Sequence, residues 1–223
     1  MKLLWKALIF FIDFIYPPCC LICGKYNEKY LCNKCEKAIS KNSTFRYITK
    51  NKLEEKNFEK LLYIFPYESD VRKLIINYKF FDKSYLYKIF SKIIIKNEKI
   101  CRILKSYDII IPVPIHKKRK KQRGYNQSEL IARDIAFEIE NLKIENKVII
   151  KNINNKQQGL LNKTERIKNV KNVYQIENVE KIKNKRIILF DDIYTTGSTV
   201  NEISRILKQN GTKEILVVTL AKD

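Results

Sequence analysis

Two adjacent carboxylates, Asp191 and Asp192, follow the apolar run from Ile187 to Phe190 and precede the hydroxyl-rich stretch Thr195, Thr196, Gly197, Ser198, Thr199. Four apolar residues between polar ones read as a buried strand of a parallel sheet. In open α/β sheets ligands bind in the crevice beyond the carboxyl ends of the strands, which is where the two acids stand. The hydroxyls and closely spaced backbone N–H groups behind them, at the start of a helix, make a ready anion site. A second group of reactive residues lies near the start of the chain. Cys20-x-x-Cys23 and Cys32-x-x-Cys35 are two knuckles eight residues apart. A knuckle holds two thiolates on one side of a turn, and two knuckles complete a tetrahedral sulfur set suited to zinc. Four thiolates leave no open position, so such a site is structural. Disulfides are the main alternative; nothing else marks the chain as secreted, and a reducing cytosol disfavours them. A redox role would explain one knuckle and leave the other without a purpose. Cys101 reads as a core residue and Cys19 as a neighbour of the metal site.

The elements that must position these residues follow from periodicity. Val200, Ile203, Ile206 and Leu207 share one helical face after Thr199, with Thr199 and Glu202 spaced as a capping box and Gly211 suited to the C-terminal end. A strand from Ile215 to Leu220 then closes a βαβ unit, expected to be right-handed. Upstream, Leu61 to Phe65 reads as a strand. Val71, Leu74, Ile75 and Tyr78 define a helix leading into Lys79-Phe80-Phe81-Asp82, and Leu86, Ile89, Phe90, Ile93 and Ile94 define the next. Asp108 to Val113 is another apolar strand, made irregular at its end by Pro112 and Pro114.

The strongly basic stretch from His116 to Arg123 reads as a loop, Gly124 as a turn, and Asn126 as a helix cap with Glu129 three residues on. Ile131, Ile135 and Ile139, flanked by Ala132 and Ala136, form that helix's buried row. A basic loop between a strand end and a helix start suits a pyrophosphate; a patch for nucleic acid and a solvated charge run fit the spacing equally. Val148 to Ile150 begins a short strand. The polar connection 151–172 after it, with Gln157, Gln158, Gly159, Leu160, Arg166 and Asn169, suits a cover with one cationic reach. Residues 36–60 are lysine-rich with few apolar anchors and read as a linker or domain seam.

The chain's 223 residues hold one medium α/β domain and a small appendage, and 45% hydrophobic content is enough for a core. The net charge of +21 points to anionic partners, namely nucleic acid, phosphorylated substrates or a membrane surface. Most of the basic residues are lysines, however, and specific base readout prefers arginine. With His116 as the one histidine, a histidine-based triad and a multi-histidine metal site are excluded. The apolar run at 3–16 resembles a signal peptide, but Asp13 interrupts it and Pro17-Pro18-Cys19 offers no small-residue cleavage site. It is short for a membrane span and reads as a helix on the protein's own core, with peripheral membrane contact as the lesser alternative.

The stretch from Arg186 to Thr199 resembles the phosphoribosyl-pyrophosphate (PRPP) signature of type I phosphoribosyltransferases. The whole chain resembles one branch, the ComF family of competence-associated phosphoribosyltransferase-like proteins. PPCCLICG, LCNKC, NYKFFD, IIPVPIHKKRKKQRGYNQSELIARDIA, KQQGLLNKTERIKNV and ILFDDIYTTGST carry the likeness, RGYNQSEL and the acid–hydroxyl motif most specifically. The resemblance implies a type I phosphoribosyltransferase-like α/β fold: a parallel sheet with flanking helices and a hood over residues 46–223. A helix and double-knuckle zinc module over 1–45 would precede it. It also implies that Asp191 and Asp192 bind the ribose hydroxyls of PRPP, as the catalytic pair. Thr195, Thr196, Gly197, Ser198 and Thr199 would cradle the 5-phosphate, and Lys117, Lys118, Arg119 and Arg123 would approach the pyrophosphate. Structural zinc on Cys20, Cys23, Cys32 and Cys35, and Mg²⁺ arriving with PRPP, complete the implied cofactors. The implied setting is cytoplasmic DNA uptake, with single-stranded DNA, a competence helicase or uptake proteins as partners and no stable membrane span. Where most type I members carry a glycine in the pyrophosphate loop, this chain has Pro-Ile-His-Lys-Lys.

Overall fold

The computed structural model describes residues 19–27, 31–50, 53, 56–81, 83–155, 165, 169–170 and 172–223. The apolar run at 3–16, and Gln157, Gln158, Gly159, Leu160 and Arg166 of the expected cover, lie outside the described residues. The described elements begin with α1 (Asn33–Lys41), β1 (Arg46–Thr49), β2 (Lys60–Pro66) and α2 (Ser69–Phe80). A 3₁₀ turn at Ser84–Leu86 leads to α3 (Tyr87–Ile95), α4 (Glu98–Leu104), β3 (Ile109–Pro112), α5 (Lys117–Arg123) and α6 (Gln127–Glu138). Then come β4 (Lys143–Ile144), β5 (Ile149–Lys151), β6 (Tyr174–Ile176), β7 (Arg186–Tyr194), α7 (Ser198–Gln209) and β8 (Glu214–Lys222).

Six strands form one sheet in the order β1-β2-β8-β7-β3-β4, parallel throughout except that β1 pairs antiparallel with β2. Because successive strand residues point to opposite faces, the central strands feed two cores. Ile188, Phe190, Leu216 and Val218 pack on one side with Leu74, Ile75, Phe90, Ile131 and Ile135 of α2, α3 and α6. Ile187, Leu189, Ile215 and Val217 pack on the other with Val200, Ile203 and Leu207 of α7. Both faces are covered, which is why these strands read as continuous apolar runs. Burying each such side chain stabilises the fold by roughly 1.5–3 kcal/mol.

Among the described residues β5 and β6 form a separate antiparallel pair, joined to the second core through Ile149 and Tyr174.

Four sequence expectations change. The linker reading of 36–60 gives way to α1 and β1, with Leu53 and Phe58 buried. Alpha-1 buries only Ile39, and β1 is an exposed edge strand, so neither leaves a periodic signal. The basic run is a helix, α5, rather than a loop: His116 accepts from the Lys118 N–H at its start, and Gly124 ends it with φ +80°. With no buried residue in α5, apolar periodicity could not reveal it.

Strand β7 runs on through both aspartates to Tyr194 and is not finished at Phe190. The capping box at Thr199 and Glu202 is absent. Gly197 is the N-cap of α7, and Glu202 instead accepts from Arg205 at 2.7 and 3.0 Å. Among the described residues no helix is long and apolar enough to cross a membrane.

Candidate functional site

The acid pair is set by the pleat of β7. Phe190 belongs to the α2 side of the sheet and Leu189 to the α7 side, so the next two residues diverge in the same way. Asp192 meets Lys79 of α2, whose Nζ lies 2.9 Å from its Oδ1. Asp191 accepts from the Asp192 backbone N–H at 2.9 Å and from the Ser128 hydroxyl at 3.4 Å. Burial, then the charge on Asp192, pushes the Asp191 carboxyl up to about 7; Lys79 and these two hydrogen bonds work in the opposite direction. Near neutrality Asp191 therefore exchanges a proton, and it can accept or donate to a polar ligand.

Ser128 reaches this place through Asn126. The Asn126 amide donates to the Val113 carbonyl at 3.0 Å and accepts from the Ser128 N–H at 3.1 Å, tying the end of β3 to the start of α6. The expected cap is present, but Glu129 turns to Lys120, Arg133 and Asn146. Tyr78 fixes α2 against the same region. It is fully buried, stacks on Tyr125 with centroids 5.7 Å apart, and donates to the Gln127 carbonyl at 2.8 Å.

Thr195 to Gly197 turn between β7 and α7, and with Ser198 and Thr199 at the start of α7 they line the same cleft as the acids, a hollow of about 450 Å³. Gly197 turns the chain with φ +71°, in the left-handed region, and a Cβ there would collide with the Tyr194 ring. Glycine is the residue that permits both. The Thr196 hydroxyl donates to that of Ser198 at 3.0 Å and accepts from the Ser198 N–H. Loop and helix start together offer oriented donors to an anion.

The cations divide in a way the sequence did not show. Arg119 and Arg123 line the cleft, whereas Lys117 and Lys118 are exposed and lie outside its lining. The helical turn of α5 separates them: a loop could have aimed all four residues inward, but a helix presents only part of its circumference. Arg119 also donates to the Asn155 carbonyl at 3.3 Å, reaching across to the segment after β5.

Sequence reasoning missed Lys151 and Lys79. Lys151, at the end of β5, is only 8% exposed, lines the cleft and lies 5.6 Å from the Tyr174 ring centroid. Burial, then Arg119, brings its ammonium down to about 8, with Asp191 opposing. Its one visible signal was a lysine closing an apolar strand. Lys79 sat in the NYKFFD motif without an assigned role.

The four knuckle cysteines come together. All four Sγ atoms lie within 4.8 Å of one another, and Cys23 and Cys32 are 3.9 Å apart. A tetrahedron of zinc–sulfur bonds of about 2.3 Å has edges of about 3.8 Å, so the donor set fits zinc. Burial opposes ionisation of Cys20, yet the backbone N–H groups of Cys23, Cys32 and Ile22 outweigh it and bring the thiol to about 6. Cys20, Leu31 and Ile39 join the core on the α2 side of the sheet. Cys19 bridges to Tyr26 beside this cluster. Cys101 is only partly buried, with its thiol 2.9 Å from the Ile95 carbonyl.

Sheet order, acid pair and the glycine turn into a helix define a phosphoribosyltransferase-type domain, and residues 125–223 match the family model described as a phosphoribosyl transferase domain. Along most of its length the chain is homologous to named competence and DNA-utilization proteins. It is 29% identical over 209 residues to Competence protein F of Haemophilus influenzae, covering 86% of this chain and 90% of that protein. With Competence protein ComFC of Streptococcus pneumoniae it shares 27% identity over 159 residues, 71% of this chain and 66% of that protein. With DNA utilization protein YhgH of Escherichia coli K12 it shares 24% over 210 residues, 91% of this chain and 89% of that one. The ComF resemblance read from the motifs is borne out by these relatives. Among solved structures, a purine phosphoribosyltransferase from Pyrococcus horikoshii aligns with a TM-score of 0.42 at 19% identity, over 63% of this chain and 75% of that one.

Proposed function

We propose that this protein binds PRPP in the cleft at the end of β7 and transfers its phosphoribosyl group to an acceptor, in the service of DNA uptake. The observation that carries this reading is the convergence on one cleft of an acid pair, a glycine-turned hydroxyl loop at a helix start, and inward cations that include Arg119, Arg123 and Lys151. In this reading Asp191 and Asp192 accept from the ribose hydroxyls and Thr195 to Thr199 seat the 5-phosphate. Arg119 and Lys151 take the pyrophosphate, with Arg123 nearby and Lys117 and Lys118 as outer attractors.

The groups around the pyrophosphate seat are cationic and offer no metal ligand, so Mg²⁺ would be held by the substrate's own oxygens. When bound, that ion neutralises charge on the departing pyrophosphate. The acceptor's lone pair forms a bond to C1 of the ribose, the C1–O bond breaks, and its electron pair leaves with pyrophosphate; the acceptor's proton passes to solvent. The chain's own part is positioning and electrostatics, and removing one well-placed donor of this kind costs about 10²–10³ in rate.

Residues 1–45 serve in this account as the zinc module and 46–223 as the transferase-type domain. Reduced zinc thiolates and a PRPP ligand suit the cytoplasm. A pyrophosphate-release screen with Mg-PRPP against bases, nucleic acids and amines tests turnover; release with none of them would leave binding without transfer.

A second reading, a PRPP-sensing or single-stranded-DNA-binding component without turnover, rests on the exposed Lys117, Lys118, Lys120 and Lys121 of α5 and the charge of +21. Such binding would weaken steeply with salt. A competence helicase or other uptake protein is the partner class that either reading implies.

A further inference from the structure

Lys151 and Tyr174 stand directly opposite each other in the β5–β6 pair, so their side chains leave the same face of it as close neighbours. That face looks inward: both residues are buried, and both line the cleft. The Lys151 Nζ lies over the Tyr174 ring, 5.6 Å from its centroid. An aromatic face attracts a cation at this range, most strongly where water is excluded. The ring therefore supports the ammonium at a place where burial works against its charge.

Tyr174 is held from the far side as well. Its ring belongs to the core that contains Val200 and Ile203 of α7, and the Thr199 side chain of the same helix lies within hydrogen-bonding reach of its hydroxyl. The other charges that act on Lys151 come from different elements: Arg119 of α5 opposes its charge and Asp191 of β7 supports it. A lysine side chain is flexible and does not keep one direction unaided. An anchored ring opposite it supplies that direction.

We propose that Tyr174 is the positioning residue for Lys151: its ring, anchored against α7, keeps the ammonium charged and directed into the cleft, where an anionic ligand meets it. This rests on the PRPP reading above, in which Lys151 takes the pyrophosphate, and adds the residue that sets that cation. In this role Tyr174 acts through Lys151 and not on the substrate. A plain apolar neighbour would cover the lysine stem equally well and leave the ammonium unsupported, which separates the ring from packing alone.

Calorimetry of inorganic pyrophosphate binding on either side of about pH 8 tests this, with ribose 5-phosphate as the control for the neighbouring seats. Wild-type affinity for pyrophosphate should fall as pH rises through about 8, where Lys151 loses its proton. Tyr174→Leu should weaken pyrophosphate binding roughly tenfold at that pH, the scale of a desolvated cation–π contact. It should also move the fall to lower pH, because the charged form has lost its support. Ribose 5-phosphate should bind this variant about as it binds wild type. Tyr174→Phe keeps the ring and should keep both the affinity and the pH of the fall. Titration of pyrophosphate itself is common to all three proteins and cancels.

A second measurement does not depend on the leucine variant folding. In proton–carbon spectra of the wild-type protein, the Lys151 ε-methylene, assigned by its absence from Lys151→Arg, should lie upfield of the other lysines through the Tyr174 ring current. A Lys151 methylene at the position of the other lysines overturns the proposal. So does a Tyr174→Leu protein, folded by circular dichroism, that matches wild type in affinity and pH profile, or a Tyr174→Phe protein that loses as much as Tyr174→Leu. In each of these cases the PRPP reading stands. Failure of wild-type protein to bind pyrophosphate, ribose 5-phosphate and PRPP alike overturns that reading and the proposal with it.

Discussion

Lys79 Nζ sits 2.9 Å from Asp192 Oδ1, joining the last turn of α2 to the acid pair of β7. The side chains are 19% and 14% exposed, so the pair is neither a surface ion pair nor a fully buried one. Lys79 also holds the Asp191 carboxyl below the level that burial and Asp192 would otherwise impose. One lysine from a distant helix therefore conditions both acids.

Lys79→Ala should weaken PRPP binding and raise the pH at which Asp191 ionises. The loss should fall near 1–3 kcal/mol, between the values for exposed and buried pairs. Calorimetric titrations across pH check it, and Lys79→Arg should recover most of the affinity.

The affinity for PRPP should be highest between about pH 7 and 8. Asp191 becomes a full acceptor as pH rises through about 7, and Lys151 loses its charge as pH rises through about 8. The same shifts set the sign of the stability effects. The raised Asp191 value favours folding at low pH, and that contribution is lost as pH rises from the ordinary carboxylate range through about 7. Lys151 works the other way: its depressed value makes the fold gain stability as pH rises from about 8 towards the ordinary lysine range. Asp191→Asn removes the first cost, so its melting temperature relative to wild type should be higher at pH 8 than at pH 5.

How much of this was legible in the sequence differs by element. Beta-3, β7 and β8 were visible because burial on both faces makes unbroken apolar runs, and α2 because Val71, Leu74, Ile75 and Tyr78 keep a helical spacing. The cysteine spacing announced its own cluster. The Lys79–Asp192 pair left no trace, since contacts between distant segments have no local pattern. Lys151 belongs to a three-residue strand, too short for periodicity to speak. Alpha-5 is polar all round and is defined by its ends, His116 and Gly124, so its composition suggested a loop. That difference decided which basic residues face the cleft.

Gly197→Ala should disable the phosphate loop. The left-handed φ and the collision with Tyr194 both resist a side chain, at about 1–3 kcal/mol for the backbone alone. Inorganic phosphate and ribose 5-phosphate binding should fall together while the melting temperature drops by a few degrees, measured by calorimetry and thermal denaturation.

Zinc removal should be felt beyond the knuckles. Cys20, Leu31 and Ile39 share a core with Ile64, Leu74 and Phe90, so chelation or Cys32→Ser should loosen the α2 side of the sheet. Native mass spectrometry should find one zinc per chain in wild-type protein and none in the variant, with a lowered melting temperature. An intact, metal-free wild-type protein would remove the site.

The central claim is that Asp191 and Asp192 hold the ribose of PRPP, and calorimetry of Mg-PRPP binding to the Asp191→Asn, Asp192→Asn double variant tests it most directly. The account predicts a folded protein, by circular dichroism, whose PRPP affinity falls at least about tenfold, the loss of roughly 1.4 kcal/mol or more expected when charge-assisted hydrogen bonds are removed. A folded double variant that binds PRPP as tightly as wild type would contradict it.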